Sequence, residues 1–213
     1  MDPLRLNDIT LNLKLATDDL KQLKANLGDP TWTRERDQIL PFFKSATNLS
    51  AFIGRIYCDT VNRYKHECQI LNFFRADLVA GDAIDNRYLF VEFEDADPNS
   101  MFVKPRQTTR IADEWSTNLE HGYSQVIDWF WLLEDAKRLP QFDAVFGRTP
   151  AIAGLVVAGR TDVNDKDIRA RIRWREEKTI INSGHIFIKS YDQLVADLQA
   201  KLDCIAIDAA QGP

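Results

Sequence analysis

Residues 88–94, Tyr88-Leu89-Phe90-Val91-Glu92-Phe93-Glu94, alternate in a way that decides the architecture. Successive side chains of a strand point to opposite faces, so Glu92 and Glu94 share one face while Leu89, Val91 and Phe93 share the other. Residues 74–79 form a second β-rich run, and the polar stretch Gly81-Asp82-Ala83-Ile84-Asp85-Asn86 between them has the composition of a hairpin turn. A simple hairpin centred near residues 83 and 84 sets Asp77 opposite Phe90, its side chain on the face of Glu92 and one pleat away. Three carboxylates then converge on two antiparallel strands.

Outward from the hairpin the period changes. Leu6, Ile9, Leu13, Ala16, Leu20, Leu23 and Leu27 recur at spacings of three and four, a helical stripe that Gly28 and Asp29-Pro30 end. This N-terminal amphipathic helix, an extension over residues 1–30, either packs on the domain or forms a dimer seam. Trp32, Ile39, Phe42, Phe43, Leu49, Phe52, Ile53 and Ile56 lie at helical spacing, broken near Pro41 and Thr47-Asn48, and predict two or three short helices over 31–64. After the hairpin, 112–138 reads as the longest helix of the second half of the chain, and the apolar run 152–159 as a central strand buried on both faces. A helix over 165–176, a strand over 185–189 and a final helix over 191–202 follow. The order predicts an α/β fold, a mixed central β-sheet flanked by helices, with one domain over 31–213 behind the N-terminal helical extension.

Composition narrows the class of function. Lys and Arg number 27 against 32 Asp and Glu, a formal charge of -5, which leaves room for a local basic patch but not for a uniformly basic surface. No window approaches the roughly 18 consecutive apolar residues of a membrane span, and MDPLRLNDIT lacks the pattern of a signal peptide. A soluble cytoplasmic protein without a membrane partner is expected. Cys58, Cys68 and Cys204 are an odd number without a CxxC pair, which suggests reduced thiols and neither a disulfide framework nor a structural zinc site.

Carboxylates brought together repel unless a cation neutralises them, and hard oxygen donors suit Mg²⁺ or Mn²⁺ acting on a phosphate substrate. Residues 77–97 hold seven acids against one base, Arg87, which strengthens the case for a phosphodiester-cleaving site. The alternative is that Glu92 and Glu94 decorate the solvated face of an edge hairpin. On the long helix, His121, Gln125, Asp128 and Trp129 fall at i, i+4, i+7 and i+8, one face beside the apolar stripe. Gln125 could bond a phosphate, a base edge or an attacking water and His121 could contact phosphate, or Gln125 could cap the sheet and His121 be structural. Residues 166–175 supply five cations, with Trp174 among them. Lys166, Arg169, Arg173 and Trp174 could track a nucleic-acid backbone, or the segment could be a solvated, salt-bridged helix.

Five blocks in order, 74–79, 90–96, 102–104, 120–130 and 154–160, carry a resemblance to the Shedu immune nuclease domain, a branch of the PD-(D/E)xK nuclease superfamily, over roughly residues 37–205. The resemblance implies a restriction-endonuclease-like core, a divalent-metal (Mg²⁺ or Mn²⁺) endonuclease acting on nucleic acid, DNA more than RNA, a role in bacterial anti-phage defence, a homo-oligomer and a sensing partner protein. By position, Asp77 matches the metal-binding aspartate of the first hairpin strand and Glu92 the acid that opens the E-x-K signature. Gln125 matches the glutamine of the following helix. Glu67 falls where such nucleases carry a further acid on a preceding helix, which makes Asp77, Glu92 and Glu67 the implied metal ligands. Glu94 stands where the superfamily has its catalytic lysine, and Lys104, just downstream, is the candidate for a migrated lysine. A catalytically weak module that binds nucleic acid or a phage-derived signal is the alternative function, and Glu94 is its main support.

Overall fold

The alternation read at residues 88–94 becomes the middle of a sheet. A computed structural model of the chain describes residues 5–71, 73–105, 112–161 and 165–211, so the first four residues of the N-terminal extension lie outside it. The strands are β1 (Asn7–Asp8), β2 (Arg63–Ile70), β3 (Phe74–Asp82), β4 (Arg87–Phe93), β5 (Phe102–Val103), β6 (Glu114–Trp115), β7 (Ala151–Val157), β8 (Ile180–Ile181) and β9 (Gly184–Lys189). Seven of them form one mixed sheet in the order β1-β2-β3-β4-β7-β9-β8, and β5 pairs with β6 alone. β2, β3 and β4 are antiparallel, whereas β4, β7 and β9 run parallel. This is the α/β architecture with a mixed central sheet that the order of elements predicts.

The helices are α1 (Leu13–Leu27), α2 (Leu40–Ser45), α3 (Thr47–Ile53), α4 (Thr117–Ala136), α5 (Pro140–Phe146), α6 (Lys166–Lys178) and α7 (Tyr191–Gln211), with a π-helical turn at Glu35–Ile39 and a 3₁₀ turn at Gly54–Ile56. Leu89, Val91 and Phe93 of β4 pack with Ala153, Leu155 and Val157 of β7 against the layer of α1, α2, α3 and α7. Tyr88, Phe90 and Val156 face the opposite layer, where Val126, Trp129 and Phe130 of α4 cover them. The buried stripe Ala16, Leu20, Leu23 and Leu27 places α1 against the domain through α3 and α7. Each such fully buried leucine or phenylalanine contributes about 1.5–3 kcal/mol of transfer free energy.

Several boundaries differ from the sequence expectation. α1 starts at Leu13 because Asn12 caps it: the Asn12 side chain accepts from the Leu15 N–H at 3.1 Å, and the Asn12 N–H donates to Asn48 at 2.8 Å. Asn7 and Asp8, read as helix, instead pair with Tyr64 and Arg63 on β2. Strand β2 itself was not expected. Tyr64 and His66 share the face of Ala80 and Leu78 while Cys68 and Ile70 turn to the opposite one, so no single alternation runs through the strand. The final helix runs to Gln211, since nothing after Leu202 breaks it before Gly212-Pro213, and its 21 residues exceed the 20 of α4.

Two glycines let α4 come close to the sheet. A Cβ on Gly154 of β7 would collide with Val126 Cγ1, and one on Gly122 of α4 would lie 3.0 Å from Glu94 Oε1. Gly154→Ala is therefore expected to destabilise the protein by about 1–3 kcal/mol as an overpacking change, read as a lower urea midpoint with an unchanged denaturant slope.

Candidate functional site

At the carboxyl end of β4 the chain buries several acids at once. Glu92 and Glu94 are only 7% and 6% exposed, so they do not decorate a solvated edge. Strand β4 is central, with β3 on one side and β7 on the other, and α4 covers the face to which Glu92 points. Gln125 of α4 donates from Nε2 to Glu92 Oε1 at 2.6 Å, while Glu92 Oε2 is buried and has no hydrogen-bond donor. The Glu94 N–H donates to the Val157 carbonyl at 2.8 Å, and the buried Tyr191 hydroxyl donates to the Glu94 carbonyl at 2.6 Å. The backbone that carries the acid is thus fixed on both sides.

Asp77 meets this group, although the register differs from the one expected. Asp82 pairs with Arg87 across a four-residue turn, so Leu78 lies opposite Val91 and Asp77 falls opposite Glu92 rather than Phe90. The turn is displaced because Asp82 organises it: one carboxylate oxygen accepts from Ile84 N–H at 2.7 Å and from Asn62 Nδ2 at 2.8 Å. The Asp77 carboxylate accepts from the Phe93 N–H at 2.9 Å. Regular alternation fails at this point. Ala76 and Val79 both lie on the α4 side and Leu78 on the other, and the position opposite Asp77 on β2, Glu67, has φ +49° and drops out of the ladder between His66–Leu78 and Cys68–Ala76.

Two further acids complete the group. Glu35, in the first turn of the π-helical segment, donates its N–H to Asp95 Oδ1 at 2.7 Å. No local signal marks Glu35 in the sequence, since it joins the site across 60 residues. Burial and the surrounding acids push its carboxyl up to about 7. The same causes push Glu94 up to about 8 and Glu92 up to about 10, while burial raises Asp77 to about 6 against the pull of the Phe93 N–H. Every charge acting on Glu92 and Glu94 is itself acidic. The donors are all hard oxygens, and an unsatisfied buried oxygen is present, so their chemistry fits a hard divalent ion. Among the described residues, however, no three His, Cys, Asp or Glu side chains stand close enough together to hold one.

The remaining expected residues disperse. Glu67 lies on strand β2, not on a preceding helix, and its Oε1 pairs with Lys44 at 3.1 Å and Arg75 at 3.3 Å. Lys104 is exposed after β5, and no hydrogen bond or ion pair among the described residues joins it to the acids. His121, Gln125, Asp128 and Trp129 do not act as one face. Trp129 is fully buried in the core, His121 and Asp128 face solvent, and Gln125 alone reaches the acids, because α4 turns its Gly122, Val126 and Trp129 side to the sheet.

The cations of α6 divide between two roles. Arg171 lies over the rings of Phe102 and Trp115, and Arg175 over Trp115 and Tyr123 while forming two bonds to Glu120 at 2.6 and 2.9 Å. These two bind α6 to β5, β6 and α4. Lys166, Arg169 and Arg173 instead line a groove of about 740 Å³ against β9 and α7. Arg173 is 3.6 Å from Glu177, and Trp174 is 65% exposed on another side of α6, beside Trp115 and Arg171. Along this groove the outer edge of β9 is paired with β8 only at Gly184 and His185, and Glu176 accepts from the Ile188 N–H beyond them at 2.7 Å.

The family described as Shedu protein SduA, C-terminal, matches residues 33–195. No curated protein matches the chain. No helix is long and apolar enough to cross a membrane among the described residues.

The raised acids predict a pH dependence of stability. In the unfolded chain Glu35 and Glu94 have the ordinary value of 4.5, against about 7 and about 8 when folded. As pH rises the unfolded state sheds these protons first, so their contribution to stability is complete below 4.5 and is lost through 7 and 8. Urea midpoints are expected to fall between about pH 5 and about pH 8, and Glu94→Gln to flatten that fall.

Proposed function

Because the chain belongs to the Shedu family, matched through the C-terminal region of SduA, an anti-phage defence protein, we propose that it is a divalent-metal-dependent nuclease of the PD-(D/E)xK type acting on DNA. The observation that carries this is the buried Asp77–Glu92–Glu94 group, with one Glu92 oxygen held by Gln125 and the other without a donor. Burying like charges without a cation is unfavourable, and the upward shifts record that cost.

In this reading Asp77 and Glu92 hold Mg²⁺ or Mn²⁺. A bound ion would lower the pKa of a water molecule and offset charge on the phosphate. Gln125 fixes the Glu92 carboxylate through its 2.6 Å bond and so sets the direction of its free oxygen. With an ion bound to offset the repulsion that raises its pKa, Glu94 would be ionised and would accept the proton of the water that attacks the phosphodiester in line, while the departing sugar oxygen would take its proton from solvent. The Phe93 N–H stabilises the ionised form of Asp77. Lys166, Arg169 and Arg173 supply the backbone contacts along the α6 groove. Assembly as a homo-oligomer and recognition of a sensing partner belong to the same proposal and rest on the family alone.

A second reading, a silent nuclease fold that binds nucleic acid or a phage-derived signal, is favoured by two observations. Glu94 stands in the lysine position, and among the described residues no three acids stand close enough to hold an ion.

Cleavage separates these readings, and binding tests the α6 groove. With Mn²⁺ and plasmid DNA, Asp77→Ala is expected to abolish cleavage, Gln125→Ala to slow it by about 10–100-fold, and EDTA to stop it in the unaltered protein; undiminished cleavage by Asp77→Ala would reject the site. For binding, Arg169→Ala with Arg173→Ala is expected to reduce the slope of log affinity against log salt by about 1–2 while leaving the acids intact.

A further inference from the structure

The acid group has a cationic border to which the sequence motifs assign no role. Lys44, in the last turn of α2, and Arg75, on β3, both direct a nitrogen at the same atom, Glu67 Oε1, at 3.1 and 3.3 Å. Two cations converging on a single oxygen is the arrangement that a phosphate oxygen would meet. All three side chains are open to solvent, Lys44 42%, Arg75 59% and Glu67 40% exposed, so the pairs are loosely held and exchangeable. Their place is next to the chemistry: Glu67 lies opposite Asp77 across the β2–β3 ladder, and Arg75 is close enough for its charge to stabilise the Asp77 carboxylate.

Two independent features mark this border as more than a surface ion pair. Glu67 adopts φ +49°, a backbone conformation that glutamate avoids, directly across from Asp77. Both members of the pair, Arg75 and Glu67, act on the Asp77 carboxylate, so the border reaches the acid group from the β3 side.

We propose that Lys44 and Arg75 bind a phosphate of the nucleic-acid substrate beside Asp77, and that Glu67 occupies their shared position when no substrate is present. The inference rests on the nucleic-acid reading of the acid site. It assigns Glu67 the role of an internal competitor for the phosphate rather than that of a metal ligand. It also supplies positive charge to a site whose lysine position is taken by Glu94. Binding exchanges one anion for another at the same two cations, so no covalent step is involved.

The test uses the full chain and a fluorescein-labelled DNA duplex in EDTA, with anisotropy read across a salt series. Glu67→Gln is expected to tighten binding by about threefold or more, because the competing carboxylate is gone. Lys44→Ala with Arg75→Ala is expected to weaken binding and to lower the salt slope by about 1–2. The gain from Glu67→Gln should vanish in that double background, and Asp18→Asn, a charge removal at the exposed Lys21 pair of α1, should change nothing. Calorimetry with Mn²⁺ should give Glu67→Gln the affinity of the unaltered protein. Where circular dichroism shows the alanine pair unfolded, Lys44→Gln with Arg75→Gln replaces it. The proposal is overturned if Glu67→Gln binds DNA no better than the parent, if its gain survives the loss of both cations, or if it loses Mn²⁺ affinity. A parent that binds no DNA at any salt overturns the nucleic-acid reading as well; a parent that binds and cleaves while the border variants match it overturns this inference alone.

Discussion

The interaction on which the site depends is the mutual repulsion of carboxylates held out of water. Glu92 and Glu94 sit on the most central antiparallel-to-parallel junction of the sheet, where β4 is covered by α4 on one side and flanked by β3 and β7. Hydrogen bonds from Gln125, from the Phe93 N–H and around the Glu94 backbone hold the acids in place without neutralising them. In a low-dielectric setting such charges are relieved by binding protons or by binding a cation. The fold thus stores a demand for positive charge at one end of its sheet, and the chemistry proposed for it is a way of meeting that demand.

The packing that creates this demand is close for an identifiable reason. Gly122 and Gly154 remove the two side chains that would hold α4 away from β4 and β7. The helix then reaches close enough for Gln125 to touch Glu92, and its Trp129 and Phe130 fill the core behind. Small residues at two positions therefore decide the placement of a polar side chain on a third.

Much of this was legible in the alternation of β4. Which face Leu89, Val91 and Phe93 take, the buried strand β7 and the helical stripe of α4 all follow from periods of two and 3.6. The register was not legible, because Asp82 and Asn62 shape the hairpin turn through side-chain bonds that span 20 residues. Glu35 was invisible for a related reason: it reaches the site by a contact with Asp95 that no local pattern encodes. Strand β2 escaped because its alternation breaks at Glu67, which leaves His66 and Cys68 on opposite faces. The helical period already separates Arg169 and Arg173 from Arg171 and Arg175, but that the latter pair is committed to Phe102, Trp115, Tyr123 and Glu120 follows only from contacts distant in sequence.

The bond from Ile188 to Glu176 bears on how copies of the chain can associate. An open strand edge invites a neighbouring molecule to continue the sheet, the route to uncontrolled aggregation. Here the outward amide of Ile188 is already taken by a half-buried carboxylate, and a two-residue β8 covers the edge at Gly184 and His185. An incoming strand would have to evict that acid and leave it facing backbone carbonyls. Backbone pairing with another chain along this edge of β9 is thereby disfavoured.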